Sequence, residues 1–237
     1  MRPPHGERPG PLPAAVRTAL RRWFLKNRRD LPFRRTRDPW AIWLSETVLQ
    51  QTTVAVGAPR FEGLLSRFPT VEALASAGER ELLAAWSGLG YYARARNLHR
   101  AARLVAGRGG GVPRTVEELR ALPGVGPYTA AAVASLAFGV PVPLVDGNVS
   151  RVLSRVEAIS GDGRTGASGA AVARAAEAFL DRQRPAEHNE SLMELGALVC
   201  LPRAPRCPGC PLRRGCRAHA LGRPDAFPAP RARKAAV

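Results

Sequence analysis

Proline and glycine, more than any apolar run, decide what this chain can fold into. There are 22 prolines and 23 glycines in 237 residues, clustered often enough to stop a helix within a few turns. Between the clusters, apolar residues return at three- and four-residue spacing, as in Val149, Val152, Leu153 and Val156, or Leu192, Leu195 and Val199. That is the period of a helix with one buried face, and strand-like alternation is nowhere sustained. The pattern predicts an all-α chain, with helices over Pro13–Asn27, Trp40–Val56, Val71–Ala77, Glu79–Ser87, Ala93–Ala106, Thr115–Ala121, Tyr128–Phe138, Gly147–Ser160, Ala170–Leu180 and Asn189–Leu201. Thr70 and Thr115, each followed closely by glutamates, stand where capping residues start a helix.

Charge narrows the partner. Thirty-six Lys+Arg face 19 Asp+Glu, a formal charge of +17, which points to a polyanion. A GC-rich coding preference explains why only Lys26 and Lys234 are lysines, but not the shortage of acids. The least polar stretch, Thr129–Val145, is broken by Ser135, Gly139, Pro141 and Pro143. It falls short of the roughly 20 residues a membrane-spanning helix needs, so a soluble chain with no membrane partner is expected. Residues 1–10 read as a disordered tail, with no apolar segment of a secretory signal behind them. Residues 222–237 read as a basic tail.

The run Leu122-Pro123-Gly124-Val125-Gly126-Pro127-Tyr128-Thr129-Ala130 lies between two predicted helices. Gly124 and Gly126 suit backbone angles that other residues resist and let the main chain approach a ligand. The next helix start adds unpaired N–H groups and a positive dipole end. Such a hairpin suits a DNA phosphate, held without reading sequence. An ordinary turn between helices is the plainer alternative.

LPGVGPYTAAAV is similar to the helix-hairpin-helix of the endonuclease III superfamily of DNA glycosylases, and the resemblance spans about Leu31 to Cys216. WLSETVLQQT (Trp43–Thr52), GLGYYARARNLH (Gly88–His99), VDGNVSRVLSR (Val145–Arg155) and MELGALVC (Met193–Cys200) resemble its adenine-specific, MutY-type branch. That resemblance implies a two-lobed helix-hairpin-helix glycosylase fold with DNA between the lobes. One lobe would be a helical barrel over 30–145 that ends in the hairpin. The other would join 11–29 to 146–221.

Locally, Asp146 reads first as an N-cap for the helix behind it. An anion beside DNA can also stabilise the oxocarbenium-like sugar left when a base departs, and the resemblance gives Asp146 that catalytic part. Glu46 sits on an apolar helix beside Trp43, Val48 and Leu49, where burial would raise its pKa towards that of a general acid. The resemblance implies that it protonates adenine at N7, pairing with Asp146 as glycosidase carboxylates do. Tyr128 stands where bifunctional relatives carry a Schiff-base lysine, so base removal without strand cleavage is expected. Tyrosine at this position also occurs in thymine mismatch enzymes.

Extruding a nucleotide requires groups that fill the gap. Gln50, Gln51 and Thr52 resemble the family's wedge, and Leu89 and Tyr91 match residues that approach the opposite base. Phe33, Arg34 and Glu190 match positions lining the adenine pocket, with Arg29 ordering it. Phe33 departs from the more usual tryptophan.

Cys200, Cys207, Cys210 and Cys216 are all the cysteine in the chain, at intervals of six, two and five residues. Four thiolates in one segment suit zinc or an iron–sulfur cluster, and the resemblance selects [4Fe–4S] over zinc, in a structural part. Arg203, Arg206, Arg213, Arg214 and Arg217 would make that loop basic.

Taken together, these readings predict a monofunctional glycosylase that removes adenine mispaired with guanine or 8-oxoguanine. It would act as a monomer on double-stranded DNA in the bacterial cytoplasm, at the nucleoid. Thymine or uracil release from G mispairs is the alternative, and a non-catalytic DNA-binding iron–sulfur module the second. Residues 217–237 are too few for the Nudix-like domain with which the adenine branch recognises 8-oxoguanine.

Overall fold

The structure, a computed structural model, describes residues 14–229. Among them there are twelve α-helices and no strand. They run α1 Ala14–Asn27, α2 Pro39–Leu49, α3 Val54–Arg67, α4 Val71–Ser76, α5 Glu79–Ala85 and α6 Ala93–Gly107. After these come α7 Val116–Arg120, α8 Pro127–Phe138, α9 Gly147–Val156, α10 Gly166–Phe179, α11 Pro185–Leu198 and α12 Arg217–Ala220. No helix of the described residues is long and apolar enough to cross a membrane. The chain forms two compact units, one of Arg29–Val140 and one joining the residues up to Arg28 with those from Pro141 onward.

In the first unit, α2 and α8 are apolar on nearly every side and pack on each other at the centre, as such helices must. Asp38 starts α2 by accepting from the Ala41 N–H at 2.7 Å, with Pro39 in the first turn. Trp40, Trp43, Leu44, Val48, Ala130 and Val133 are all but fully buried. The Trp40 indole N–H donates to the Phe68 carbonyl at 2.9 Å, which lets so large a side chain sit inside. Both threonine caps form. Thr70 accepts from Ala73, and Thr115 makes a reciprocal capping box with Glu118.

In the second unit, the apolar face of α9 (Val149, Val152, Leu153, Val156) meets Val172 and Phe179 of α10, Leu192 and Leu195 of α11, and Leu20 of α1. Gly196 lets α11 approach the start of α9. A Cβ there would lie 2.6 Å from that of Asn148.

Three expectations are corrected. The helix expected over Trp40–Val56 is two, because the chain leaves α2 at Gln50 and re-enters helix at Val54. Gln51 between them takes a left-handed φ of 56°, which no helix continues through. The second of these helices runs on to Arg67, across Pro59. Pro59 sits about a turn and a half into α3, yet the helix continues past it. Lastly, residues 222–229, expected as part of a tail, are structured. Phe227 is buried, and Ala229 N–H donates to the Gly161 carbonyl at 2.8 Å. The rest of that stretch, and residues 1–10, lie outside the described residues.

Candidate active site and nucleic-acid interface

The hairpin is built from α7, residues 121–126 and α8 in the first unit. Leu122 and Val125 are buried and anchor it. Gly124 has φ 76°, and a Cβ on it would lie 2.6 Å from the Cβ of Asn97. Only glycine fits. Gly126 differs from expectation. Its φ of −79° and ψ of 174° are ordinary extended backbone, and a Cβ there would meet nothing within 4 Å. Its lack of a side chain therefore keeps the surface in front of α8 open. No side chain caps α8, so the positive end of its dipole is not offset by a capping group. Tyr128 is half-buried in that first turn.

Four α2 neighbours of Glu46 (Trp43, Leu44, Ser45 and Thr47) are buried, while Glu46 itself is half-buried. Gln50 ends α2, and its side-chain amide donates to Thr129 Oγ1 at 3.1 Å, tying the turn to α8. Gln51 is exposed. Tyr91, with φ 46°, is 63% exposed, whereas Leu89 is 6% exposed and belongs to the core. Phe33 is half-buried and meets Phe61 edge to face, centroids 6.1 Å apart. Arg29 and Arg34 are half-buried beside it in sequence.

One residue that the sequence did not single out joins these turns. Arg94, in the first turn of α6, donates through Nη1 to the carbonyls of Thr47 and Val48 (3.1 Å each) and of Gln50. Through Nη2 it donates to the Leu89 carbonyl at 3.0 Å. Carbonyl acceptors some 45 positions away leave no mark on side-chain patterns.

In the second unit, Asp146 caps α9. Its Oδ1 accepts from the Val149 N–H at 2.7 Å and its Oδ2 from the Asn148 amide at 3.2 Å. Burial pushes this carboxyl up. The two hydrogen bonds and Arg151 pull it back part of the way. Arg151 donates to Asn148 Oδ1 (2.8 Å) and to the Cys200 carbonyl (2.7 Å), so a bonded path runs from the carboxylate to the cysteine segment. Glu190, in α11, is 3% exposed. His188 is buried too, and burial lowers its pKa to about 4.

Cys200, Cys207, Cys210 and Cys216 line one small cavity with Arg155, Val199 and Leu212. Among the described residues no three His, Cys, Asp or Glu side chains gather tightly enough for a single ion. The thiols ring a space rather than a point. Burial raises the pKa of Cys207, Cys210 and Cys216, Cys210 to about 12. Thiols raised in this way become thiolates when a cationic centre holds them. Arg155 Nη1 donates to Cys200 Sγ at 3.3 Å, a contact that suits a sulfur bearing negative charge. The donor set fits an iron–sulfur group.

Comparison with known proteins now adds a family. A match to the HhH-GPD superfamily of base excision DNA repair proteins covers residues 44–186, from within α2 to the start of α11. This chain belongs to that family. It is 44% identical over 214 residues to the adenine DNA glycosylase of Homo sapiens, covering 86% of this chain and 39% of that protein. It is 42% identical over 209 residues to the adenine DNA glycosylase of Mycolicibacterium smegmatis, covering 87% of this chain and 69% of that one. The chain thus spans about two fifths of the length of its human relative. Among solved structures it is similar to a thermostable thymine-DNA glycosylase, with TM-score 0.78, 30% identity, and 86% of this chain and 95% of that chain covered. It is also similar to endonuclease III in a non-covalent DNA complex, with TM-score 0.70, 26% identity, and 87% and 96% covered. The all-α helix-hairpin-helix glycosylase fold is therefore this chain's fold.

Proposed function

We propose that this chain is a monofunctional DNA glycosylase that hydrolyses the N-glycosidic bond of adenine mispaired with guanine or 8-oxoguanine, acting as a monomer on double-stranded DNA. The observation that carries the reading is Asp146, a half-buried carboxylate fixed by Val149 and Asn148. A carboxylate so oriented stabilises a cationic sugar without reorganising as charge develops. Glu46 would donate the proton that makes adenine a leaving group, and Glu190 would bond its exocyclic amine. Phe33, Arg34 and Arg29 would shape the pocket, and Gln51, Thr52 and Tyr91 would meet the partner base, while Leu89, being buried, would support the turn that carries Tyr91. The hairpin, through Gly124, Gly126 and the start of α8, would take a phosphate.

Support for adenine as the target comes from relatives named adenine DNA glycosylase at 42–44% identity. Tyr128 carries no amine, so no Schiff base can form there and the strand would stay intact. Cys200, Cys207, Cys210 and Cys216 would hold a [4Fe–4S] cluster. When bound it would tie residues 200–216, the segment after α11, into one closed loop, and no step of base release would pass through it. The fit is that of four thiols around a cavity, with Arg155 facing one of them. The alternative, release of thymine or uracil opposite guanine, has the likeness to the thymine-DNA glycosylase in its favour.

A panel of duplexes separates the two. Adenine released from A·G and A·8-oxoguanine, with G·T and G·U untouched and the strand unbroken before alkali, is expected. Release of thymine or uracil with adenine left in place would move the assignment to the alternative.

A further inference from the structure

Two residues of the first unit other than glycine, Gln51 and Tyr91, hold left-handed backbone, with φ of 56° and 46°. Such conformations persist only where the surroundings impose them. Both residues stand on short turns, one after α2 and one before α6, and both are exposed. An exposed aromatic or amide in a turn has little packing to hold it. What holds these is Arg94.

The α2 helix ends without a basic residue in its last turn, so its final carbonyls lack the usual cationic partner. Arg94 supplies it from α6, with Nη1 directed at the carbonyls of Thr47, Val48 and Gln50. Its other terminal nitrogen faces the second turn, donating to the carbonyls of Leu89 at 3.0 Å and Gly90 at 3.4 Å, and to Thr52 Oγ1 at 3.5 Å. The guanidinium also lies over the Trp86 ring (5.5 Å) and the Tyr91 ring (5.4 Å). Burial lowers its pKa, yet an arginine stays charged. One planar fork thus binds the carbonyl immediately before Gln51 and the carbonyls of the two residues before Tyr91. Lysine, with a single ammonium, cannot span both.

We propose that Arg94 is the positioning residue for partner-base recognition. By clamping the Gln51 and Tyr91 turns into one rigid edge, it fixes the two side chains that meet the base opposite the target. This rests on the proposed glycosylase reading for its consequence, though not for its geometry. Arg94 touches no reacting atom. Its loss should blur discrimination between partner bases more than it slows base release itself.

The test uses the full chain with R94K and R94M, the first keeping charge without the fork. Hydrogen exchange of the 50–52 and 89–91 amides should rise about tenfold or more in both variants while α8 amides stay protected. With adenine opposite guanine or opposite cytosine in otherwise identical duplexes, the ratio of single-turnover release rates should fall about tenfold in both. The rate opposite guanine should fall by about the same factor as the ratio, and the rate opposite cytosine should change little. Unchanged exchange at the two turns, an unchanged ratio with rates lowered equally for both partners, or full rescue by R94K would overturn the proposal. If the wild type releases no adenine from either duplex while exchange still rises, the glycosylase reading and the recognition role fail together and the clamp alone stands. The exchange data also report whether a variant has unfolded, because global unfolding would expose α8 as well.

Discussion

Gly124 and Asn97 stand so close that a single methyl group cannot enter between them: a Cβ on Gly124 would lie 2.6 Å from the Asn97 Cβ, on backbone with φ 76°. Gly126, two residues on, has ordinary extended backbone and open space. The same substitution should therefore act differently at the two positions. Gly124→Ala is expected to destabilise the fold by about 1–3 kcal/mol, from the positive φ and the clash. Gly126→Ala should leave stability within about 0.5 kcal/mol but weaken duplex binding, since its methyl group would project in front of α8. Urea unfolding and duplex titration of both variants check this. Equal stability losses at both positions would contradict it.

Asp146 couples stability to pH. Burial raises its pKa, so the fold disfavours the ionised form, and that penalty is present at neutral pH. It vanishes as the pH falls below the ordinary value of 3.8, where the carboxyl is protonated folded or unfolded. Asparagine keeps the oxygen that accepts from Val149 and is an equally good cap. Asp146→Asn should thus have a thermal midpoint at pH 7 no lower than the wild type, with the difference shrinking towards pH 3. A midpoint several degrees lower would show that the anion is held more comfortably than its surroundings suggest.

His188 gives the opposite slope. Its pKa is about 4 in the fold against an ordinary 6.5, chiefly through burial, and its Nε2 has no hydrogen-bond partner among the described residues. A depressed histidine favours the fold fully above pH 6.5, and that contribution is lost as the pH falls towards 4, because the unfolded chain takes up the proton first. The loss is of order 3 kcal/mol at most. Urea midpoints between pH 7 and 4 should fall less steeply for His188→Gln than for the wild type. Parallel curves would contradict the buried, neutral assignment.

The cysteine segment makes a compositional prediction. Purified aerobically, the chain should be brown and carry about four irons, with matching sulfide. Cys210→Ser should lose colour and iron together. A colourless chain holding one zinc would overturn the cluster.

Much of this was legible in the sequence, and the parts that were not share a cause. Helices α4 to α9 follow from apolar spacing cut by Pro and Gly, and the caps at Thr70, Thr115 and Asp146 from one residue type before a periodic run. The four cysteines stand together because they are neighbours in sequence. By contrast, the break at Gln50–Thr53 interrupts no apolar pattern. It is enforced by the Arg94 contacts and by the bond of Gln50 to Thr129, 79 residues away. Backbone carbonyls are identical in every residue, so a side chain that binds them from afar has no signature. Gly126 departs from the expected left-handed backbone for a related reason. A glycine can be needed for the space in front of it as well as for its torsion angles, and sequence does not distinguish the two.

The proposed base release depends on two carboxyl groups, Glu46 giving a proton and Asp146 staying anionic. It is tested most directly by single-turnover adenine release from one A·G duplex by the wild type, Glu46→Gln and Asp146→Asn, with duplex affinity measured alongside. Each variant should lose about a thousandfold or more in rate while binding the duplex within a few-fold of the wild type. Adenine release at the wild-type rate by either variant would contradict the account.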